Sequence, residues 1–323
     1  MVLTVTINPL LEKRFVVDQL KTGQINKSSK EYYYAGGKGI NVSRQLNNLG
    51  IKNQALLFAG GSNGKILRRL LSEENIDFSI VNTKEDTRTA SLVVETSGKK
   101  VTSFFGQNSL LQKNEVDELK DRLTKMIPNC SVVVFAGSSP CQIADEIFPF
   151  GITLANEMDK VVILDTYGNH LQQCLNNSPM ILHNNINELE DSLNIDLSGM
   201  DSKINFIDSL YKKGIKLSFI TNGKEKSLAS KFNFIYEIEN PIIDTFDSTG
   251  SGDAFVSGIA FGLEKSLIFD EFVKIAAALG AVNASRVDAC NVSFEEMEKL
   301  VGQVKLNSIG KKMKLIDDTP TID

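Results

Sequence analysis

Residues Asp247 to Gly258 read DSTGSGDAFVSG, a glycine-bracketed turn that runs into a helical pattern. Glycine adopts backbone conformations closed to other residues, so the N–H groups of Gly250, Ser251 and Gly252 can converge on one anion. The dipole of a helix that begins there also favours negative charge. Asp253 is itself an anion, so the pattern predicts a general base rather than a phosphate ligand. The segment therefore indicates phosphoryl transfer, with a capped helix after a tight turn as the alternative.

Composition limits the class of protein. The chain has 323 residues, 42% hydrophobic and 23% charged, so it can bury the core of one large α/β domain or two smaller ones. The net charge of −5 argues against nucleic-acid and anionic-membrane partners, because both require a basic face. Any site that binds an anion must therefore depend on a few basic residues at that site rather than on the net charge of the protein.

Cysteine usage and the first residues indicate the compartment. The four cysteines are far apart with no C-x-x-C spacing, and there are only two histidines, so we expect neither a disulfide framework nor a zinc site. The start, MVLTVTINP, runs directly into a strand pattern, and no segment reaches the roughly 20 apolar residues of a membrane span. We expect a reduced, cytoplasmic protein.

Short β-branched apolar runs alternate with amphipathic stretches along the chain. The runs that predict buried strands are Val2–Ile7, Ala55–Phe58, Val132–Ala136, Val161–Leu164, Met180–Leu182 and Leu217–Thr221. This alternation predicts an α/β fold with a doubly wound, mostly parallel sheet and helices on both faces. The charged tail from about Lys311 to Asp323 is expected to fray.

Two regions depart from that alternation. Residues 12–34 and 88–105 alternate apolar with polar residues around turns, as half-exposed antiparallel strands do. We expect them to form one small β-sheet outside a core made of residues 1–11, 35–87 and 106–323. Such a sheet is suited to be a lid that excludes water from a reactive site, or a dimer interface.

A second glycine-rich segment, Ala35 to Gly50, reads AGGKGINVSRQLNNLG. Its glycines allow a ligand to approach the backbone, Lys38 can neutralise a phosphate, and Asn41 can bind sugar hydroxyls. The alternative is a strand-to-helix turn with a solvated lysine. The segment GGSNGKI from Gly60 to Ile66 lacks P-loop spacing, and no G-x-G-x-x-G follows a strand, so neither a Walker-type NTPase nor a Rossmann enzyme is expected.

Together, TVTINPLLE near the start and the two glycine segments resemble the ribokinase-like carbohydrate kinases, specifically the phosphofructokinase-B branch. The resemblance spans nearly the whole chain. It implies a doubly wound α/β core, a β-sheet lid that commonly forms a dimer clasp, and ATP with Mg²⁺. It also implies in-line phosphoryl transfer to a hydroxyl of a phosphorylated ketohexose, with no nucleic-acid or membrane partner.

The resemblance assigns expected roles residue by residue. Asp253 matches the catalytic base, and Gly250, Ser251 and Gly252 match the anion hole. The positions that match the substrate site are Glu12, Gly36, Gly37, Lys38, Asn41, Arg88 and Ser138. Those that match the nucleotide region are Asn185, Thr221, Gly223, Ser248, Gly250, Gly252 and Asn283. Glu188, in an N-x-x-E element, is expected to hold Mg²⁺ through water.

Several of these positions have simpler explanations. Arg88 could form a surface ion pair on the lid, and Ser138 could belong to an ordinary strand-to-loop turn. Asn185 and Glu188 could form a helix N-cap, and Asn283 could serve core helix packing.

Three positions depart from the usual pattern of the branch. Glu12 stands where an aspartate generally binds a sugar hydroxyl, so its carboxylate reaches about one methylene further. His183 removes a lysine expected near the ATP phosphates, unless the imidazole substitutes for it at low pH. Lys226 replaces a frequent glycine, and either alters the nucleotide rim or supplies the missing charge.

These features predict an ATP-dependent kinase, a homodimer through the lid, that converts fructose 1-phosphate to fructose 1,6-bisphosphate and releases ADP. Tagatose 6-phosphate and fructose 6-phosphate are the next choices, because all three present a phosphate and a hydroxymethyl group. The alternative from another class is a sugar-phosphate sensor that has lost catalysis. A nucleoside or vitamin kinase is disfavoured, because Lys38 and Arg88 call for an anionic substrate.

Overall fold

A ten-stranded sheet is the largest feature of the computed structural model, which describes residues 1–309. The strands are β1 (Val2–Thr6), β2 (Leu10–Val17), β3 (Lys30–Gly36), β4 (Asn53–Gly60), β5 (Phe78–Thr83), β6 (Arg88–Glu95), β7 (Lys100–Phe105), β8 (Val132–Ala136), β9 (Val161–Asp165), β10 (Ile181–Asn185), β11 (Leu217–Thr221), β12 (Ser227–Lys231), β13 (Phe234–Glu239) and β14 (Lys305–Ile309). The expected frayed tail, and with it the end of the expected core, lies outside the described residues.

The helices alternate with the strands of the large sheet. They are α1 (Lys38–Asn48), α2 (Gly61–Glu73), α3 (Lys113–Met126), α4 (Ile147–Glu157), α5 (Leu171–Asn176), α6 (Ile186–Leu193), α7 (Met200–Lys212), α8 (Ser251–Glu264), α9 (Phe269–Ala284) and α10 (Phe294–Val301).

The strand order of the large sheet is β14-β13-β12-β11-β10-β9-β8-β1-β4-β5. The pairs from β11 to β5 are parallel, whereas β11 to β14 pair antiparallel at one edge. All six predicted strands lie in the parallel part: β8 and β11 have the predicted bounds, and the other four differ by one to three residues at one or both ends. The predicted doubly wound α/β fold is confirmed.

Both faces of the parallel strands are apolar because helices cover each face. Along β8, Val133 and Phe135 pack in a buried cluster that includes residues of α3, α4 and α7, while Val132 and Val134 pack in a cluster with α1, α8 and α9. Burying one such side chain stabilises the fold by about 1.5–3 kcal/mol. This packing fixes α1 and α8, which begin with the two glycine-rich segments, on the same face of the sheet.

The second sheet has four strands in the order β3-β2-β6-β7. Each of the two sequence regions forms an antiparallel hairpin, and the hairpins join through a parallel pair in which Leu10 lies opposite Arg88 and Glu12 opposite Ala90. This sheet confirms that a small β-sheet accompanies the core. Its lid role and the expected boundary at residue 12 remain proposals.

The carboxyl ends of the central parallel strands define the edge where ligands bind in open α/β sheets. Polar residues stand at or just after these ends: Asn8 after β1, Ser138 after β8, Asp165 on β9, Asn185 on β10 and Thr221 on β11.

Candidate active site

Gly250 immediately precedes helix α8, and its backbone is left-handed with φ of 79°. A Cβ at this position would lie 2.8 Å from the Cβ of Ala289, so glycine is required both by conformation and by space. No side chain caps this helix start among the described residues. The capped-helix alternative therefore lacks its cap, and the first turn can accept an anion.

Asn283 holds the loop before this helix. Its Nδ2 donates to the carbonyl of Thr249 at 2.9 Å and to Ser251 Oγ at 3.1 Å, and its Oδ1 accepts from the N–H of Cys290 at 2.6 Å. The side chain is buried beneath the loop. These contacts give Asn283 a direct role in the shape of the loop that precedes α8.

Asp253, in the first turn of α8, is 4% exposed. Its Oδ2 accepts a hydrogen bond from Asn41 Nδ2 at 2.7 Å. Burial raises the pKa of Asp253 to about 7, Lys38 opposes the shift, and the nearby Asp165 adds to it. A carboxylate with this pKa can take a proton near neutral pH, which suits a general base.

Lys38, in the first turn of α1, lies between two carboxylates. Its Nζ is 3.0 Å from Asp165 Oδ1 and 2.7 Å from Glu188 Oε1, and it lies 5.1 Å from the ring centroid of Tyr167. Burial alone would lower the pKa of Lys38, but Asp165 and Glu188 outweigh it and raise that pKa far above its usual value. The lysine is therefore a fixed positive charge, not a solvated one.

Asp165 is fully buried at the end of β9. Its Oδ1 also contacts His183 Nδ1 at 3.1 Å, and its Oδ2 has no hydrogen-bond partner among the described residues. Burial would raise the pKa of this carboxyl, but Lys38 and His183 outweigh burial and hold it below its usual value. Sequence reasoning missed Asp165; its signal was an acidic residue that closes an otherwise apolar strand.

His183 replaces the expected lysine and is buried. Its ring stacks on Phe255 with centroids 5.3 Å apart, and its Nε2 lies 3.4 Å from Thr221 Oγ1. A Cβ added at Gly252 would lie 3.1 Å from His183 Cε1. The imidazole thus packs directly against the anion-hole segment.

Asn185 and Glu188 form a reciprocal cap at the start of α6. Asn185 Oδ1 accepts from the N–H of Glu188 at 2.8 Å, and Glu188 Oε2 accepts from the N–H of Asn185 at 3.2 Å. The cap explains the spacing of the N-x-x-E element, and it leaves Glu188 Oε1 directed at Lys38. Within residues 1–309, no group of three or more His, Cys, Asp and Glu side chains is arranged to hold a metal ion.

Arg88 belongs to a polar cluster between the two sheets. Its Nη2 donates to the carbonyl of Asn8 at 3.1 Å and its Nη1 to Asn108 Oδ1 at 3.0 Å. Asn8 Nδ2 in turn donates to Ser138 Oγ and to Asn108 Oδ1, both at 3.0 Å. The Nε of Arg88 is buried without a partner in the described chain, where this arginine also has no carboxylate within ion-pair distance. The surface ion-pair alternative is therefore not what is found.

Asn8 and Asn108 were not singled out from the sequence. Asn8 lies two residues beyond β1, and Asn108 lies in the loop after β7. The signal for Asn8 was its position at the carboxyl end of a buried strand. Asn108 lies in an irregular loop, so its sequence gave no comparable signal.

Glu12 accepts a hydrogen bond from Arg14 Nε at 2.5 Å. Arg14 is buried, and its guanidinium lies 5.1 Å from the ring centroid of Tyr34. The longer Glu12 side chain is therefore held by a neighbour on its own strand, which fixes where its carboxylate can meet a ligand.

The glycines before α1 allow close backbone approach. Gly37 has φ of 131°, and a Cβ there would lie 2.7 Å from Thr6 Cγ2. A Cβ at Gly36 would lie 2.6 Å from Leu10 Cδ1 on β2. Both positions thus keep the loop tight against β1 and β2.

The remaining nucleotide-side candidates lie around the start of α8 and the end of β11. Ser248 accepts from the N–H of Ser251 through its carbonyl at 3.0 Å. Gly223 has φ of 56° and open space around it. Lys226 pairs with Glu237 at 2.5 Å and Glu239 at 3.2 Å, so its charge is committed to β13.

A model of the pfkB family of carbohydrate kinases matches residues 11–297. The chain belongs to this family.

Curated relatives of this pfkB family kinase cover almost its full length. A 1-phosphofructokinase from Borreliella burgdorferi is 27% identical over 312 residues, which are 96% of this chain and 99% of the relative. A tagatose-6-phosphate kinase from Staphylococcus epidermidis is 26% identical over 309 residues, which are 95% of this chain and 99% of the relative.

Solved structures share the fold of this pfkB family kinase. A possible 1-phosphofructokinase from Thermotoga maritima has a TM-score of 0.87 at 24% identity and covers 96% of this chain and 99% of that one. Phosphofructokinase-2 from Escherichia coli in complex with fructose-6-phosphate has a TM-score of 0.82 at 22% identity. The match covers 94% of this chain and 98% of that one. The resemblance to ribokinase-like carbohydrate kinases is confirmed, and the protein is a carbohydrate kinase.

Proposed function

We propose that this kinase transfers the γ-phosphoryl group of ATP to the hydroxymethyl group of a ketohexose phosphate, with fructose 1-phosphate as first choice. The observation that carries the proposal is Asp253, a buried carboxylate with a pKa of about 7 in the first turn of an uncapped helix. The names of the two curated relatives support a phosphorylated ketohexose as the substrate class. Tagatose 6-phosphate and fructose 6-phosphate remain alternatives.

The proposed chemical step uses Asp253 as base. Its carboxylate takes the hydroxymethyl proton while the hydroxyl oxygen forms a bond to the γ-phosphorus. The bond between the γ-phosphorus and the β–γ bridging oxygen breaks, and its electron pair leaves on ADP. The N–H groups of Gly250 and Gly252 would hold the developing negative charge. The N–H of Ser251 donates to the Ser248 carbonyl at 3.0 Å in this structure and would have to leave that bond to join them.

The phosphate already on the sugar would bind at the cluster of Arg88, Asn8 and Ser138. The Nε of Arg88, buried and without a partner within residues 1–309, supports this assignment, because an arginine fork binds phosphate through two hydrogen bonds. Gly36, Gly37, Lys38, Asn41 and Glu12 would complete the substrate site.

On the nucleotide side, Asn185, Thr221, Gly223, Ser248 and Asn283 would shape the ATP site. Carboxylate oxygens are ligands that Mg²⁺ prefers, and the partly exposed Glu188, which shares the Lys38 ammonium group with Asp165, fits a water-mediated contact. When bound, Mg²⁺ neutralises phosphate charge. Lys38 would add a fixed positive charge to the same space.

The small sheet would serve as lid and as homodimer interface. Tyr33 and Phe104 are exposed and share the face of this sheet opposite to that of Glu12, which supports a partner surface there. Among the described residues, no helix has the length and apolar character needed to cross a bilayer.

The proposed function is tested by ADP release in a coupled assay with Mg·ATP. The panel is fructose 1-phosphate, tagatose 6-phosphate, fructose 6-phosphate and unphosphorylated fructose. We expect one phosphosugar to exceed the others at least about tenfold in kcat/KM, and free fructose to be poorest because it leaves Arg88 unpaired. If no sugar of the panel causes ADP release while the protein still binds ATP, the sensor alternative is favoured.

The pH profile provides a second prediction. Because kcat/KM reports ionisations of the free enzyme, we expect it to rise with pH on an acid limb with an apparent pKa of about 7. The sign follows from the role of Asp253, which works only as the deprotonated carboxylate. The measurement is kcat/KM for the best phosphosugar between pH 5 and 9. A flat profile down to pH 5 would exclude Asp253 as the titrating base.

A further inference from the structure

A chain of four side chains connects the surface of α2 to the candidate base. Glu74 follows α2, and its Oε2 and Oε1 accept from Arg44 Nε at 2.5 Å and Nη2 at 3.2 Å. Arg44 Nη1 donates to Asn41 Oδ1 at 2.7 Å, one helical turn earlier on α1. Asn41 Nδ2 then donates to Asp253 Oδ2 at 2.7 Å.

The hydrogen-bonding groups of Arg44 and Asp253, on either side of Asn41, fix the orientation of its amide. Arginine has only donors, so the atom of Asn41 that faces Arg44 must be the oxygen. The amide nitrogen is therefore left to face Asp253, which as a carboxylate has only acceptors. Without Arg44, the amide could rotate and present its oxygen to Asp253, which would repel the carboxylate.

Arg44 is itself held in place. Its guanidinium is mostly buried, and Nη2 also donates to the carbonyl of Ala35 at 2.6 Å, just before the glycine loop. The bidentate pair with Glu74 gives the guanidinium one orientation.

We propose that Arg44, anchored by Glu74, is a positioning residue that orients the Asn41 amide so that it donates to the carboxylate of Asp253. The inference deepens the proposed function, since it concerns the base of that reaction. It assigns a role to two residues, Arg44 and Glu74, that touch neither substrate nor nucleotide in the proposed site.

The other charged groups near Asp253 act independently of this chain. Lys38 on α1 favours the carboxylate form, Asp165 on β9 and Glu188 on α6 oppose it, and burial is the largest influence. The Asn41 hydrogen bond lowers the pKa of Asp253, so its loss raises that pKa further. Cys290 is also close enough to sense Asp253, but its own burial keeps the thiol neutral by raising its pKa.

The test compares Arg44→Lys and Glu74→Gln with a matched control, Glu73→Gln. Glu73 is the adjacent residue and pairs with the exposed Arg69 at 3.6 Å, away from the site. The first readout is the pKa of the Asp253 carboxyl by carbon NMR, assigned by its absence in Asp253→Asn. We expect Arg44→Lys to raise this pKa by about one unit and Glu74→Gln to raise it less. Glu73→Gln should leave it unchanged.

The pH dependence of kcat/KM is a second measurement. It would not change if Arg44 had only a structural role. We expect kcat/KM of Arg44→Lys to fall about tenfold at pH 6 to 7 and to recover toward the parent at pH 9, where Asp253 ionises despite the raised pKa. In an Asn41→Ala background, Arg44→Lys should cause no further pKa shift, because the two residues act in series.

An unchanged Asp253 pKa in both folded variants, or additive effects in the double variant, would overturn the inference. If Arg44→Lys fails to fold, Glu74→Gln alone decides, since it keeps the size of the side chain. The NMR result does not depend on turnover. A pKa shift in a protein that phosphorylates no sugar would therefore support the inference while contradicting the proposed function.

Discussion

Asp253→Asn is expected to lower kcat for the best phosphosugar by a factor of about 10² to 10⁴ while leaving ATP affinity largely unchanged. The substitution keeps the size of the side chain and its ability to accept from Asn41 Nδ2, but removes the group that takes the proton. The measurement is steady-state turnover together with ATP binding by calorimetry. The matched control is Asp270→Asn, an exposed carboxylate at the start of the neighbouring helix α9, which should leave kcat unchanged.

Stability measurements separate loss of catalysis from loss of structure. Burial raises the pKa of Asp253 above its unfolded value, so its ionised form opposes folding. Between about pH 4 and pH 7 the folded state binds more protons at this site than the unfolded state, so this group makes stability fall as pH rises. Asp253→Asn should therefore be at least as stable as the parent at pH 8 by urea unfolding. An inactive variant that is clearly less stable there would contradict the assignment of a pure base.

The parts of the fold that were predictable are those encoded by local pattern. The apolar runs of β8 and β11 match their strands residue for residue, because a buried parallel strand needs apolar side chains on both faces. The antiparallel extension by β12, β13 and β14 was not anticipated. Its outer strands are half exposed, and β14 follows β13 only after more than sixty residues, so no local pattern joins them.

The candidate site was predictable where glycine marks a backbone requirement. Gly250 was identified because a left-handed turn before a helix needs glycine, and the structure has φ of 79° there. Asp165 could not be identified in the same way. Its role comes from Lys38, 127 residues away in the chain, and from His183 on the adjacent strand. An acidic residue that closes an apolar strand is only a weak signal, because a solvated carboxylate at a strand end gives the same pattern.

The His183 departure has a structural explanation that sequence could not supply. The imidazole, on β10, bonds to Asp165 and stacks on Phe255, whereas Lys38 contacts the same carboxylate from helix α1. Lys38 therefore places a positive charge beside the Asp165 and Glu188 carboxylates, although position 183 carries a histidine in place of the expected lysine. This arrangement makes Lys38 the residue on which the charge balance of the site depends.

Lys38→Met is expected to lower both activity and stability, because it leaves the Asp165 and Glu188 carboxylates without their cation. Removing one partner of a buried ion pair typically costs about 3–5 kcal/mol, and the Lys38 side chain is 22% exposed, so we expect the lower end of that range at pH 8. The pKa of Asp253 should also rise, since Lys38 favours its carboxylate form, and turnover near neutral pH should fall with it.

The pH dependence of that destabilisation has a definite sign. In the parent, Lys38 and His183 hold the pKa of Asp165 below its unfolded value despite burial, so this carboxylate contributes stability above about pH 4 and loses it as pH falls. Without Lys38, burial becomes the main influence on the pKa of Asp165, and the buried negative charge of this carboxylate opposes folding at neutral pH. The stability gap between Lys38→Met and the parent should thus be widest at pH 8 and narrow toward pH 4, as measured by urea unfolding.

Lys226→Met, which removes an exposed lysine from a pair with Glu237 and Glu239, is the control and should change stability little at any pH. A Lys38→Met protein as stable as the parent at pH 8 would mean that the carboxylates do not depend on this lysine for their charge.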